Sequence, residues 1–147
     1  LDRRVPRVGV VVEHVPDWHR RGRDAPHLAF VDDPAAAGPV DVVMTAGCIQ
    51  SVEEPFAHLL GRLPVLPRAV LINKLPLYDQ PTRVTLQNTG CSFTPCTLFN
   101  ADAFVGSLTA RGYRLRDRWQ CLDRSIDIPF YPAYGVPTYS GLYLERA

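Results

Sequence analysis

A carboxylate at the end of an apolar run is the first group in the chain that could do chemistry. The run covers residues 8–14, Val-Gly-Val-Val-Val-Glu-His, and its acid is Glu13. A parallel strand that is covered on both faces is apolar throughout, and its carboxyl end opens onto the ligand crevice of an α/β sheet. A carboxylate at that end accepts hydrogen bonds from ribose hydroxyl groups. The run therefore predicts a nucleotide-binding strand, with a core strand and a solvated terminal acid as the alternative.

Length and composition indicate one ordinary globular domain. The chain has 147 residues, of which 46% are hydrophobic and 21% charged, and its formal net charge is +1. This charge gives no electrostatic reason to expect nucleic acid or an anionic membrane as a partner. No apolar stretch reaches the roughly 18 residues of a transmembrane helix, and the order of a signal peptide is absent, so a cytoplasmic protein without membrane contact is predicted. The four cysteines match no zinc spacing, and no metal is predicted.

The elements that must position Glu13 alternate between strands and helices, as a parallel sheet requires. In the first half, apolar runs predict strands over residues 8–13, 28–31, 40–46 and 69–72. Helical periodicity predicts a weak helix over 17–23 and a second one over 56–63, the latter with a capping box formed by Ser51 and Glu54.

The second half of the chain changes character. Residues 83–87 alternate, and Asn100 is predicted to cap a helix that stops at Gly112. Strands are then predicted over 113–122 and 139–144, joined by a long loop. Two strands without an intervening helix pair antiparallel, which places a hairpin at the edge of the sheet.

Four sequence blocks carry a family resemblance. They are VDVVMTAGCIQSVEEPFAHLL at 40–60, VLINKLPLYDQPTRVTLQ at 70–87, PCTLFNADAFVGSLTARGY at 95–113 and YSGLY at 139–143. In these blocks, and in their order from about Val8 to the end, the chain resembles a class I S-adenosylmethionine-dependent methyltransferase family of bacterial surface-glycan loci. The resemblance implies an α/β, Rossmann-like sheet that is mostly parallel, with an antiparallel C-terminal edge hairpin and the strand order 3-2-1-4-5-7-6. Some members have Asp-Arg-Thr where this chain has Asn73, Lys74 and Leu75, so the role of that acid is not carried over.

The resemblance also implies a site for S-adenosylmethionine across the carboxyl ends of the central strands. Glu13 would bind the ribose hydroxyls, and Asp32 would reach the adenine amino group. Ala46 and Gly47 would let the backbone approach the donor closely, because their side chains are small or absent. Structural roles remain open, since Asp32 can cap the turn that follows it and Gly47 can form the turn before a helix.

Polar residues after the fourth strand are expected on the acceptor side of that site. They are Asn73, Lys74 and Gln87, joined by Tyr134 of the long loop. Transfer from a sulfonium is an in-line displacement, so positioning supplies most of the acceleration, and a base is needed only for a weak acid such as a hydroxyl. Lys74 could bind an acidic acceptor or simply be solvated, and Tyr134 could stack on a sugar or pack the hairpin. No residue stands out as a nucleophile, and the catalytic residues are left open.

The first strand and the glycine-rich turn of the family have no counterpart in the 147 residues. In the family order this strand lies between the strands predicted at 8–13 and 40–46, and a gap there would leave backbone groups unpaired. We therefore expect that residues 1–147 form a single, N-terminally incomplete methyltransferase-like domain, that another segment or subunit completes the sheet, or that the sheet re-pairs.

Three functions follow from these observations. The leading one is methyl transfer from S-adenosylmethionine to a small-molecule or saccharide acceptor. Its main rival is a non-catalytic scaffold or partner domain that has kept the fold and lost the donor site, which the missing glycine turn favours. The third is a nucleotide-sugar-binding module that uses Glu13 on a different ribose.

Overall fold

The computed structural model describes residues 10–11, 30–31, 33–88 and 90–147, and these form strands and short helices of an α/β fold. The strands are β1 (Val10–Val11), β2 (Phe30–Val31), β3 (Val42–Ala46), β4 (Ala69–Leu75), β5 (Leu77–Tyr78), β6 (Arg83–Asn88), β7 (Phe93–Asn100), β8 (Tyr113–Cys121) and β9 (Tyr139–Arg146). The α-helices are α1 (Phe56–Gly61) and α2 (Ala101–Thr109), and short 3-10 turns span Pro34–Ala37, Ile49–Ser51 and Pro132–Tyr134.

The largest sheet has the strand order β3-β4-β9-β8. Strands β3 and β4 are parallel, whereas β9 runs antiparallel to both of its neighbours. The predicted hairpin of the last two long strands is therefore confirmed as an antiparallel pair. The order also agrees with the one that the resemblance implies, because the final strand lies inside the sheet and β8 lies at its edge.

The described strands form mixed sheets, so a mostly parallel sheet is not confirmed. Three of the six strand pairings are parallel and three are antiparallel. A hairpin of β6 and β7, with β5 added along β7, accounts for part of the difference. The predicted helix at 17–23 lies outside the described residues. The described strands do not test the proposed gap at the first strand. The gap, and a segment or subunit that would fill it, stay predictions.

One face of the large sheet carries the main core. Alternation along the strands places Val70 and Ile72 of β4 on the same face as their β9 partners Leu144 and Leu142, and all four are fully buried. Helices α1 and α2 contribute a further set of apolar side chains to this cluster, namely Phe56, Leu60, Phe104 and Leu108. Both helices thus pack against this one face of β4 and β9, where Phe56 and Phe104 stack with ring centroids 6.4 Å apart, and this packing positions the strand ends described below.

Local signals predicted one helix start correctly and the other wrongly. The Asn100 side chain accepts a hydrogen bond of 2.9 Å from the backbone N–H of Ala103, which confirms the predicted cap of α2. The capping box for α1 is wrong, because that helix begins at Phe56 directly after Pro55. A residue before proline is disfavoured in the helical region, so the helix cannot include Glu54, whose carboxylate instead accepts a 2.8 Å hydrogen bond from Arg62.

Strand β7 was not expected from the sequence. Pro95 interrupts its pattern, and proline removes a donor from the ladder of a strand interior. In the fold, Pro95 pairs with Leu86 of β6, while β5 contacts only the far end of β7 at Phe99 and Asn100. Pro95 therefore lies where β7 has no second neighbour among the described strands, and its missing N–H leaves no described partner unpaired.

Candidate functional site

The carboxyl ends of β3 and β4 bring four of the predicted site residues together. Ala46 is paired with Asn73, and the Gly47 N–H donates a 2.9 Å hydrogen bond to the Asn73 carbonyl. Gly47 has a φ of +63°, and a Cβ added there would lie 3.7 Å from the Cβ of Lys74. Since Ala46 and Gly47 are both exposed, the strand ends present an open backbone surface with small side chains.

Asn73 lies in an irregularity where the pairing of β4 with β9 shifts between Ile72 and Leu75. Its side-chain oxygen accepts hydrogen bonds from the Trp119 indole N–H at 3.2 Å and from the Cys121 thiol at 3.0 Å. The indole reaches Asn73 by crossing over Gly141, where any Cβ would overlap the ring. Asn73 therefore orients Trp119, and its oxygen is engaged inside the fold.

Lys74 occupies a strained position in the same irregularity. Its φ is +57°, a left-handed conformation that residues other than glycine rarely adopt. Its ammonium lies 2.7 Å from the Asp123 carboxylate, with side-chain exposures of 34% and 60%. This hydrogen bond lowers the pKa of Asp123, so the contact is present at neutral pH and is lost as the pH falls through the lowered pKa. Such exposed pairs contribute little to stability.

We expect Lys74→Gly to be more stable than Lys74→Ala by about 1 kcal/mol, because only glycine relieves the left-handed strain while both variants lose the ion pair. Urea unfolding of the two variants and of the parent measures the difference. Equal stability of the two variants would show that the backbone carries no strain at this position. If Lys74→Gly were more stable than the parent, the lysine would be retained at a cost in stability. That result would point to a role for the ammonium other than folding.

Gln87 and Tyr134 lie on a different part of the molecule. Gln87 is on β6 opposite Thr94, and Tyr134 lies under the guanidinium of Arg83 at 4.0 Å from the ring centre. Arg83 and Tyr134 line a cavity of about 230 Å³ beside the β6-β7 hairpin. The structure thus groups Ala46, Gly47, Asn73 and Lys74 at the strand ends and places the other two at the hairpin. Glu13 and Asp32 lie outside the described residues.

Sequence reasoning missed Gln50, which lies in the turn directly after Gly47. Its residue exposure is 6%, yet its side-chain oxygen accepts no hydrogen bond among the described residues. A Cβ at Gly47 would lie 4.0 Å from the Gln50 Nε2 atom. Leaving a buried polar group unpaired costs about 1–3 kcal/mol. No local sequence signal marks this residue, because its burial follows from the packing of the turn Ile49–Ser51 against β7.

A polar cavity of about 510 Å³ opens near the start of β9. It is lined by charged, aromatic and hydroxyl groups that include Asp79, Arg118, Trp119 and Ser140. The Arg118 guanidinium donates to the Ser140 hydroxyl at 3.3 Å, and burial raises the pKa of the neighbouring Tyr78 phenol, which stays protonated at neutral pH. With one carboxylate and one guanidinium, the cavity is suited to a small polar molecule rather than to a strongly charged one.

In the described part of the chain, no three His, Cys, Asp or Glu side chains gather closely enough to hold a metal ion. No helix in it is long and apolar enough to cross a membrane. A third cavity, which is apolar and has a volume of about 110 Å³, lies between β3 and α1, with Thr45 and Leu60 among its lining residues.

Comparison with known proteins identifies the class of fold. No family model and no curated protein matches the chain. Among solved structures, it is similar to the 1,6-didemethyltoxoflavin-N1-methyltransferase of Burkholderia thailandensis with bound 1,6-didemethyltoxoflavin and S-adenosylhomocysteine, at a TM-score of 0.60 and 18% identity. The alignment covers 96% of this chain and 61% of the Burkholderia chain, so this chain spans less than two thirds of that enzyme.

Two further solved structures agree with this result. A protein of Listeria monocytogenes assigned as an S-adenosylmethionine-dependent methyltransferase aligns at a TM-score of 0.58 and 8% identity, over 87% of this chain and 73% of its own. A methyltransferase of the same cofactor class from Mesorhizobium loti aligns at 0.52 and 12%, over 86% and 73%. The chain therefore has the α/β fold of S-adenosylmethionine-dependent methyltransferases.

Proposed function

We propose that the chain is part of an S-adenosylmethionine-dependent methyltransferase that acts on a small-molecule acceptor. The observation that carries the proposal is the strand order β3-β4-β9-β8, in which an antiparallel strand separates two parallel ones, together with the open Gly47 turn at the carboxyl end of β3. In open α/β sheets, ligands bind outside the carboxyl ends of the strands, and this turn lies there.

The strand-end residues fit the donor in size and exposure. Ala46 and Gly47 are exposed and offer backbone groups without a bulky side chain, so an extended ligand can lie across them. When bound, S-adenosylmethionine supplies an electrophilic methyl group on a sulfonium. Glu13 and Asp32 are proposed to hold the ribose and the adenine, respectively. Trp119, whose indole N–H donates to Asn73, lines the neighbouring cavity near the start of β9.

The proposed acceptor region extends from Lys74 toward the cavity lined by Asp79 and Arg118. Positioning is the main requirement for methyl transfer, and a cavity of about 510 Å³ has room for a small molecule. The small-molecule class is supported by the Burkholderia enzyme, which binds 1,6-didemethyltoxoflavin. The resemblance to a surface-glycan family supports a saccharide, for which Gln87 and Tyr134 would be the contacts.

A scaffold without catalytic activity is the second candidate, and one observation favours it. Asn73 and Lys74 are both engaged in contacts within the fold, Asn73 with Trp119 and Lys74 with Asp123. Groups that only hold the structure in this way need no ligand. Donor binding separates this candidate from an enzyme.

The test is isothermal titration calorimetry of the full-length protein with S-adenosylhomocysteine, with UDP-glucose as the matched ligand. A methyltransferase is expected to bind S-adenosylhomocysteine with micromolar affinity and to leave UDP-glucose unbound. Binding of neither ligand would favour the scaffold, and preferential binding of UDP-glucose would favour a nucleotide-sugar module. Either of these two results would overturn the proposed function.

A further inference from the structure

Gln50 is a buried polar residue whose side-chain oxygen has no hydrogen-bond partner among the described residues. Its exposure is 6%, and its side-chain oxygen is fully covered without a hydrogen bond among the described residues. Most buried side-chain polar atoms are paired, so an exception calls for a functional explanation. The nearest feature is the Gly47 turn, where a Cβ would lie 4.0 Å from the Gln50 Nε2 atom.

We propose that the Gln50 carboxamide binds the methyl acceptor, by hydrogen bonding to an N–H or O–H group of a small ligand at the Gly47 turn. This inference rests on the proposed function, because it identifies the bound molecule as the acceptor. It assigns Gln50 a binding role and leaves the proposed roles of Ala46 and Gly47 unchanged.

The position of Gln50 favours the acceptor over the donor. A Cβ at Gly47 would lie 3.7 Å from the Lys74 Cβ and 4.0 Å from the Gln50 Nε2 atom, so the Gln50 amide and the β4 residue Lys74 flank the same turn. The turn Ile49–Ser51 also packs against β7 of the hairpin sheet. Gln50 is therefore on the side of the strand ends assigned to the acceptor, while Glu13 and Asp32 are assigned to the donor.

The chemistry of the carboxamide defines the ligand. The oxygen is covered, so a ligand meets it only after the amide group turns about its terminal bond, a torsion with broad, roughly two-fold preferences. This turn exchanges the oxygen and the nitrogen and breaks no hydrogen bond of the oxygen among the described residues. The Gln50 oxygen can then accept a hydrogen bond from a ligand N–H or O–H group, while the nitrogen takes the covered position. A cyclic amide, with N–H beside C=O, and a sugar hydroxyl both satisfy this requirement.

Three small probes test the inference by NMR on the full-length protein, with and without S-adenosylhomocysteine. Uracil carries a cyclic amide, methyl α-glucoside carries hydroxyl groups, and 1,3-dimethyluracil has the shape of uracil without its N–H groups. The Gln50 side-chain signals are assigned by their loss in Gln50→Leu. We expect uracil or the glucoside to shift these signals, which distinguishes an amide ligand from a saccharide, and 1,3-dimethyluracil to have no effect.

The variants give the matched comparison. Gln50→Leu, or Gln50→Met if the leucine variant does not fold, is expected to weaken binding of the active probe about tenfold or more, the equivalent of 1.4 kcal/mol. Thr45→Val is the control, because the Thr45 hydroxyl is the other buried oxygen without a described partner and lies in the apolar cavity. We expect this control to leave probe binding unchanged.

The outcomes separate the inference from the proposed function. No shift of the Gln50 signals by either probe, an equal shift by 1,3-dimethyluracil, or undiminished binding in the Gln50 variants would overturn the inference. If S-adenosylhomocysteine binds and the probes do not, the proposed function stands and the inference fails. If the probes bind through Gln50 while S-adenosylhomocysteine does not bind, the carboxamide is a ligand group but the methyltransferase proposal fails.

Discussion

Replacing Gly47 by alanine is expected to weaken the binding of S-adenosylhomocysteine by about tenfold or more while lowering the free energy of unfolding by only about 1 kcal/mol. The stability loss comes from the φ of +63°, which side chains other than glycine adopt with strain. The new Cβ meets Lys74 at an ordinary contact distance of 3.7 Å, so the fold accommodates it. The affinity loss follows because the donor is proposed to approach the Gly47 backbone closely, and a side chain at this position interferes with that approach. Titration calorimetry and urea unfolding measure the two effects.

Gly112→Ala is the control for this prediction. Gly112 also has a left-handed φ, +89°, and nothing lies within 4 Å of its Cβ position. It precedes β8, which runs parallel to β4, so Gly112 lies at the end of the sheet opposite to the carboxyl ends of β3 and β4. A similar loss of stability without a loss of affinity is expected. Equal affinity losses in both variants, or none in Gly47→Ala, would remove the Gly47 turn from the donor site.

Replacing Gly141 by alanine is expected to lower the free energy of unfolding by about 2 kcal/mol, within the range for overpacking. A Cβ at this position would overlap the Trp119 ring, which is rigid and cannot yield as a flexible side chain does. The ring would have to leave the sheet surface and would lose its hydrogen bond to Asn73. Urea unfolding gives the free energy, and tryptophan fluorescence reports whether the environment of the indole changes.

Gly106→Ala is the control for Gly141→Ala, because the same substitution is expected to change stability in the opposite direction there. Gly106 lies inside α2 with nothing within 4 Å of its Cβ position, so alanine should raise stability by about 0.5–1 kcal/mol through its better helix propensity. The sign of the effect should therefore differ between the two glycines. If Gly141→Ala were as stable as the parent with unchanged fluorescence, Trp119 would not be packed over Gly141.

The sequence predicted the elements whose signals are local. The apolar run at 40–46 contains β3, the run at 69–72 begins β4, and Asn100 caps α2 as expected, because each depends on residues a few positions apart. Where two local signals competed, at the start of α1, the prediction from the weaker signal was wrong. Ser51 and Glu54 have the spacing of a capping box, but Pro55 decides where α1 begins.

The candidate site was predictable in part for the same reason. Strand ends can be read from the pattern, and parallel pairing of β3 and β4 then brings Ala46 and Gly47 beside Asn73 and Lys74. The sequence did not indicate that Gln87 and Tyr134 lie apart from this group. That separation results from β6 pairing with β7, a strand that the sequence did not predict because Pro95 interrupts its pattern.

By itself, the sequence determined the α/β class, the cap of α2, and which small and polar residues stand at the ends of strands, since all of these depend on short-range patterns. Only the tertiary structure decided that β6 pairs with β7, that Asn73 holds Trp119 over Gly141, and that the Gln50 side-chain oxygen is buried without a described partner. The physical reason is that strand order, burial and hydrogen-bond partners arise from contacts between residues far apart in the chain. Asn73 and Trp119 are 46 positions apart, and no local pattern records such a contact.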